Sequence, residues 1–137
     1  MRIYFGHPVT TYGSGVEADA ISAIEEHFAD GVVVNPNGKD HQAAYAIEGM
    51  GYFERLAESC EVGAFLSFSD GAWGAGVLRE ARAMKASGKR IYQVAYWSGS
   101  AAWSTCWKVW TWDPSAGMVD HPLTVDQTRA RIAAGLR

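Results

Sequence analysis

The chain opens on a short apolar run, Arg2-Ile3-Tyr4-Phe5, which is broken at once by Gly6-His7-Pro8. A few apolar residues bounded by turn formers read as a buried strand. A loop, Val9-Thr10-Thr11-Tyr12-Gly13-Ser14-Gly15, comes next. Then Val16, Ala20, Ile21, Ile24 and Phe28 recur at helical spacing, with Glu17, Asp19, Glu25 and Glu26 between them. This predicts an amphipathic helix ending near Asp30-Gly31. Val32-Val33-Val34 is a second buried strand, stopped by Asn35-Pro36-Asn37-Gly38. The stretch from Lys39 to Glu48 fits either a loop or a short helix. A clearer helix runs from Met50 through Phe53 and Leu56 to about Ser59.

Residues 62–68 carry no charge and predict a third strand, covered on both faces. Ser69-Asp70-Gly71 turns the chain into a helix starting at Gly74 or Ala75, with Val77, Ala81 and Met84 on one face and Gly88 as its terminating glycine. Residues 90–95 and 108–112 predict a fourth and a fifth strand. Thr124 and Gln127 form a capping box for a last helix, with Val125, Ile132 and Leu136 expected to face inward.

Strands alternating with helices over 137 residues predict one α/β domain, residues 1–137. The expected architecture is a Rossmann/flavodoxin-like three-layer sandwich with a five-stranded, mainly parallel sheet. Ligands of such sheets bind beyond the carboxyl ends of the strands, where strand order reverses. The loops after strands one, three and four are expected to meet there.

Charge narrows the partners. The net charge of −3, without a basic stripe, argues against polymeric nucleic acid, whereas a small anionic ligand needs only backbone amides and one or two basic side chains. No apolar run approaches a membrane span of roughly 20 residues. The amino terminus reads directly into a strand and has no signal-peptide pattern, so a cytoplasmic setting is expected. Cys60 and Cys106 stand far apart, and His7, His27, His41 and His121 lack metal-ligand spacing, so no metal site is expected. Five of the six tryptophans, Trp97, Trp103, Trp107, Trp110 and Trp112, fall in one segment. They suit packing in a core or a subunit interface, or a stacking wall for a planar base.

Three segments could carry chemistry. The loop from Gly6 to Gly15 is rich in hydroxyls and glycine and opens into a helix, which favours an anion, although it matches neither the P-loop nor the dinucleotide fingerprint. The run from Ser69 to Glu80 has glycines that allow close approach of a ligand, with Glu80 near the start of a helix. The loop after strand four offers Ser98, Ser100 and Ser104.

The run from Gly74 to Ile91, with Glu80-Ala81-Arg82-Ala83-Met84-Lys85-Ala86-Ser87-Gly88-Lys89-Arg90-Ile91, resembles the signature of the nucleoside 2-deoxyribosyltransferase superfamily. Arg2-Ile3-Tyr4-Phe5-Gly6 is similar to its first strand and substrate loop, which also occur in its 2′-deoxynucleoside 5′-phosphate N-glycosidases. Phe53 to Cys60 lines up with the helix before strand three. The resemblance implies cleavage of the N-glycosidic bond of a nucleoside or nucleoside 5′-monophosphate, by hydrolysis or base exchange, without a cofactor. It implies Glu80 as nucleophile, Tyr4 and Gly6 around the sugar and base, and Asp70 as a residue that binds sugar hydroxyls or orients the base. It also implies serines such as Ser98 and Ser100 at a phosphate, and a homodimer or higher homo-oligomer that builds the site at its interface. Gly74 and Gly76 would let a ligand approach, His7 would contact a phosphate or base, and Trp73 would stack on a base or lid the core. The chain departs from the pattern twice. Tyr52 stands where the family has an acid before strand three, and Ala72-Trp73-Gly74 lacks the usual Asp. Tyr52 could supply a proton in its place. The alternative is a non-catalytic module that binds a nucleotide derivative on the same fold.

Overall fold

A computed structural model describes residues 1–49, 51–97 and 106–137. The described elements follow the expected alternation. They are β1 (Arg2–Gly6), a 3-10 turn (Val9–Thr11), α1 (Gly15–His27), β2 (Val32–Val34), α2 (Lys39–Glu48), α3 (Gly51–Glu58), β3 (Val62–Phe65), α4 (Ala75–Ala86), β4 (Arg90–Trp97), β5 (Cys106–Thr111) and α5 (Val125–Ala133). The sheet order is β2-β1-β3-β4-β5. The first four strands pair in parallel, whereas β5 runs antiparallel to β4. This is the expected α/β sandwich with a five-stranded, mainly parallel sheet. Strand order reverses between β1 and β3, so the switch point lies at the carboxyl ends of those two strands.

The pleat divides the core. Ile3 and Phe5 face α1 and pack with Ala20, Ile24, Phe28, Val62, Ala64, Leu66 and Val94. Tyr4 faces the other way and packs with Phe65, Val77, Leu78, Ala81, Met84 and Leu56 under α3 and α4. Successive residues of a strand point to opposite faces, so β1, buried on both from Ile3 onward, has to be apolar from Ile3 to Gly6. At Gly6 a Cβ would stand 2.5 Å from the Phe65 ring, and at Gly63 it would stand 2.8 Å from the Met84 sulfur. Both glycines are therefore required by close packing.

Local signals explain most helix ends. Ser14 caps α1 by accepting from the Glu17 amide, and the Thr124–Gln127 capping box opens α5. Ser87 and Gly88 end α4, with Gly88 at φ 78°. The start of α4 has no side-chain cap of its own. Instead, the Ala75 amide donates to Thr128 Oγ1 of α5 at 2.9 Å. The carboxyl-terminal segment also forms a bridge to the β3–α4 connection, with Trp73 N–H donating to His121 O and Leu123 N–H donating to Trp73 O.

Several expectations need correction. The third strand ends at Phe65 rather than residue 68, because the chain leaves the sheet toward the turn at Asp70. The ambiguous stretch from Lys39 to Glu48 is helical but buries no residue. Val125, Ile132 and Leu136 are exposed, since α5 fastens to its neighbours mainly through Thr128 and Arg131. The tryptophans divide. Trp112 packs on the core, Trp107 is partly buried against the α1 face, and Trp97 and Trp110 are exposed. Trp103 lies outside the described residues.

Trp73 is buried, with its ring stacked on Trp112 at 4.1 Å between centroids. Replacing a buried tryptophan by alanine removes this area and leaves a cavity. We expect Trp73→Ala to lower stability by about 3–5 kcal/mol in urea unfolding with an unchanged m value.

Candidate functional site

Alternation along β1 decides which residues meet. Tyr4 and Gly6 lie on the α4 face, at the switch point. His7 follows on the α1 face, with its ring stacked on Phe5 at 4.0 Å. The three residues expected around one ligand are thus shared between two faces of the sheet.

Glu80 sits in the second turn of α4 and leans toward the start of the helix, as helical side chains do. Its carboxyl meets β1. A Cβ on Gly6 would stand 3.2 Å from Glu80 Oε2, and the Tyr4 hydroxyl donates to the carboxylate. Burial pushes the Glu80 pKa up to about 8, against the pull of the Tyr4 bond, and the charge of Glu54 adds to the rise. Burial and the nearby Glu80 charge also raise the Tyr4 pKa well above its ordinary value. Gly76 lies one turn earlier on the same face of α4, and no atom stands within 4 Å of a Cβ built there. The carboxyl is therefore floored by Tyr4 and Gly6, and the surface of α4 one turn earlier, at Gly76, is open. Glu80 as a residue keeps partial exposure.

Two other residues, on separate elements, interact with this carboxyl through charge. Glu54 of α3 pairs with Arg79, the neighbour of Glu80. Tyr12, in the loop after β1, is partly exposed. Burial raises its pKa, and the charges of Glu80 and Glu17 raise it further. Tyr52 of α3 packs on the same face, against the cluster that contains Tyr4 and Phe65, and its hydroxyl bonds His41 Nδ1 at 2.6 Å. In the loop itself, Thr10 Oγ1 is buried without a hydrogen-bond partner among the described residues.

The remaining expected site residues are engaged elsewhere. His7 Nδ1 bonds the Phe5 carbonyl at 3.0 Å and Nε2 bonds Glu17 Oε2 at 2.8 Å, so a buried His7 has neither ring nitrogen free for a phosphate or base. Asp70 accepts from the Ala72 amide and pairs with Arg131 at 2.8 Å. These two bonds hold its pKa below the ordinary carboxylate value and tie it to α5 rather than to Glu80. Gly74 is buried beneath Phe68 and Thr128, and Trp73 is covered by Trp112, so neither is open to a base. Ser98 and Ser100 lie outside the described residues. A cavity of about 830 Å³ between α1 and β5 and one of about 490 Å³ beside β2 and α2 are both lined by residues other than Glu80.

Reading along the sequence missed Glu54, Tyr12 and Glu17. Glu54 and Glu17 look like ordinary helix carboxylates, and only the packing of α3 on α4 and of the loop on α1 gives them partners. Among the described residues, no group of three or more His, Cys, Asp or Glu side chains could hold a metal ion. No helix among them is long and apolar enough to cross a membrane. Comparison with protein-family models, curated proteins and solved structures finds no match.

The raised pKa has a defined sign in stability. The unfolded chain ionises Glu80 near 4.5 and the folded chain near 8. The unfolded state therefore loses this proton first, and stability contributed by the protonated group is lost as pH rises between those values. We expect Glu80→Gln to melt at the wild-type temperature below about pH 4.5 and roughly several degrees above it past pH 8, read by calorimetry across pH.

Proposed function

We propose that this protein cleaves the N-glycosidic bond of a nucleoside or nucleoside 5′-monophosphate, with Glu80 as nucleophile. The observation that carries the reading is a desolvated carboxyl at the switch point, oriented by Tyr4 against Gly6, with the helix surface open one turn away at Gly76. A carboxylate there suits a reaction whose transition state is oxocarbenium-like. It stabilises the positive charge at the anomeric carbon and then bonds to it.

In this scheme a Glu80 oxygen attacks C1′ as the C1′–N bond breaks. The base leaves with the bonding electron pair and takes a proton from a neighbouring acid or water. Water, or a second base, then displaces the carboxylate from C1′ and restores it. Tyr52, on the same face, is the proton donor this reading favours. The empty site keeps Glu80 largely protonated at neutral pH, and a substrate that develops positive charge favours its ionised form.

A non-catalytic nucleotide-binding module is the second reading. It is favoured by the engagement of Asp70 with Arg131 and of Glu54 with Arg79, which leaves few free acids beside Glu80. Overnight incubation with a panel of nucleosides and nucleotides, read by chromatography, separates the two. Base release supports the enzyme, and binding without turnover supports the module.

With a substrate from that panel, we expect Glu80→Ala to abolish base release while the protein stays folded. Full activity of that variant would sink the mechanism. For the wild type, kcat/KM should rise with pH through about 8, because free enzyme must lose the Glu80 proton. Gly76→Leu, which adds bulk to the open helix surface one turn from Glu80, should raise KM roughly tenfold with little change in melting temperature.

A further inference from the structure

Strand β5 ends the sheet on one side. Hydrogen bonds between antiparallel strands alternate along the pair. The Trp112 amide donates to the Ile91 carbonyl at 3.0 Å, and the register carries the bonded pairs on to Gln93 with Trp110, Ala95 with Lys108 and Trp97 with Cys106. The residues between them, Trp107, Val109 and Thr111, therefore turn their amides and carbonyls away from β4. Among the described residues these outward groups find no other partner. Helix α1 does not cap them, because the cavity of about 830 Å³ lies between it and the strand.

Sheets usually blunt such an edge with several charges, a proline or a bulge. Residues 106–111 hold one charge, Lys108, and no proline, and their register with β4 is unbroken. Exposed aromatic side chains stand there instead, with Tyr96, Trp97 and Trp110 each more than 40% exposed. Alternation puts Trp107 and Val109 on the α1 face, and Cys106, Lys108 and Trp110 on the α4 face with Trp112. Lys108 Nζ lies 4.7 Å from the centre of the Trp97 ring.

We propose that β5 pairs antiparallel with β5 of a second copy of this chain, about a two-fold axis at Val109, so that the two sheets become one. A two-fold axis makes the edge its own partner, and the edge must then complement itself. An axis at Lys108 fails this, because it sets two ammonium groups directly opposite. An axis at Val109 uses all three outward residues. Val109 exchanges both bonds with its copy, and Trp107 exchanges both with Thr111 on either side. The same register sets Lys108 of each copy opposite Trp110 of the other, a cation beside an indole. The strand carries no acidic residue that would select a basic peptide in place of the second copy. Strands β4 and β5 lie between this interface and the ends of β1 and β3, so the pairing is independent of the glycosidase reading.

The test combines mass, a proline substitution and register. Light scattering over a concentration series up to about 1 mM should give twice the 14.9 kDa chain mass for the wild type. Thr111→Pro removes one outward donor from each copy and no bond to β4, so it should stay folded by circular dichroism while its dimer dissociation constant rises at least about tenfold. Register is read on the wild type by NMR in a mixture of labelled and unlabelled chains. Lys108 and Trp110 of different copies form a non-hydrogen-bonded pair with Cα atoms about 4.5 Å apart, so their α protons should show an intermolecular contact. Within one strand these two residues are about 7 Å apart, too far to give that signal. A wild type that stays monomeric through the series overturns the proposal. So does a dimer without the Lys108–Trp110 contact, or a folded Thr111→Pro that dimerises as the wild type does. Should Thr111→Pro not fold, the wild-type contact decides alone.

Discussion

A carboxyl held out of water against the end of β1 is the constraint on which the rest of the structure turns. The absence of a side chain at Gly6 lets Phe65 and Glu80 press against the strand, and Gly63 does the same for Phe65 and Met84 on β3. Helix α4 is thereby drawn close enough for its second turn to reach the switch point. An apolar residue at position 80 would be the stable choice, since burying a carboxyl without enough donors is unfavourable. The fold accepts that penalty by letting the group keep its proton, and one hydrogen bond from Tyr4 orients it. Stability given up at a single polar position is the pattern expected of a site rather than of a core.

The two-residue period of β1 explains why the site is small. A strand buried on both faces sends alternate residues to different clusters, so Tyr4 and Gly6 serve α4 while Phe5 and His7 serve α1. The loop that follows has to connect the two. It is tied to Glu17 through His7 and Gly13, and its Tyr12 packs on the His7 ring. Its rigidity comes from polar bonds and its position from the sheet.

The order of elements was legible in the sequence because hydrophobic periodicity is local. The glycine ending α4, the capping box of α5 and the apolar strands all stand where their residues predict them. The direction of β5 was not legible, since an apolar run looks the same read either way and only the path of the chain before it decides the pairing. The exposed face of α5 was misread because its periodicity is real but its attachment is made by Thr128 and Arg131, which a hydrophobic pattern ignores. At the site, Glu80, Tyr4 and Gly6 could be picked out from their segments. Asp70 and His7 could be picked out too, but not their partners: Arg131 lies 61 residues from Asp70, and Glu17 looks like any first-turn helix acid. The alternation that sends His7 away from Gly6 was present in the sequence, although the glycine and proline around it suggested a loop.

Glu17 and Glu80 show how one small fold holds the same side chain in opposite states. Burial acts on both in the same direction, raising the pKa. The difference is the supply of donors. Glu17 has a ring N–H, a backbone amide and a side-chain amide, enough to overcome burial, whereas Glu80 has Tyr4 alone and the like charge of Glu54 against it. Donors come cheaply at a loop, where backbone amides are free of the sheet and helix ladders, and they are scarce in the second turn of a helix packed on apolar strands. The loop glutamate is therefore suited to fixing structure, because its charge is already satisfied. The helix glutamate is suited to reacting, because its charge is satisfied only when something positive arrives beside it.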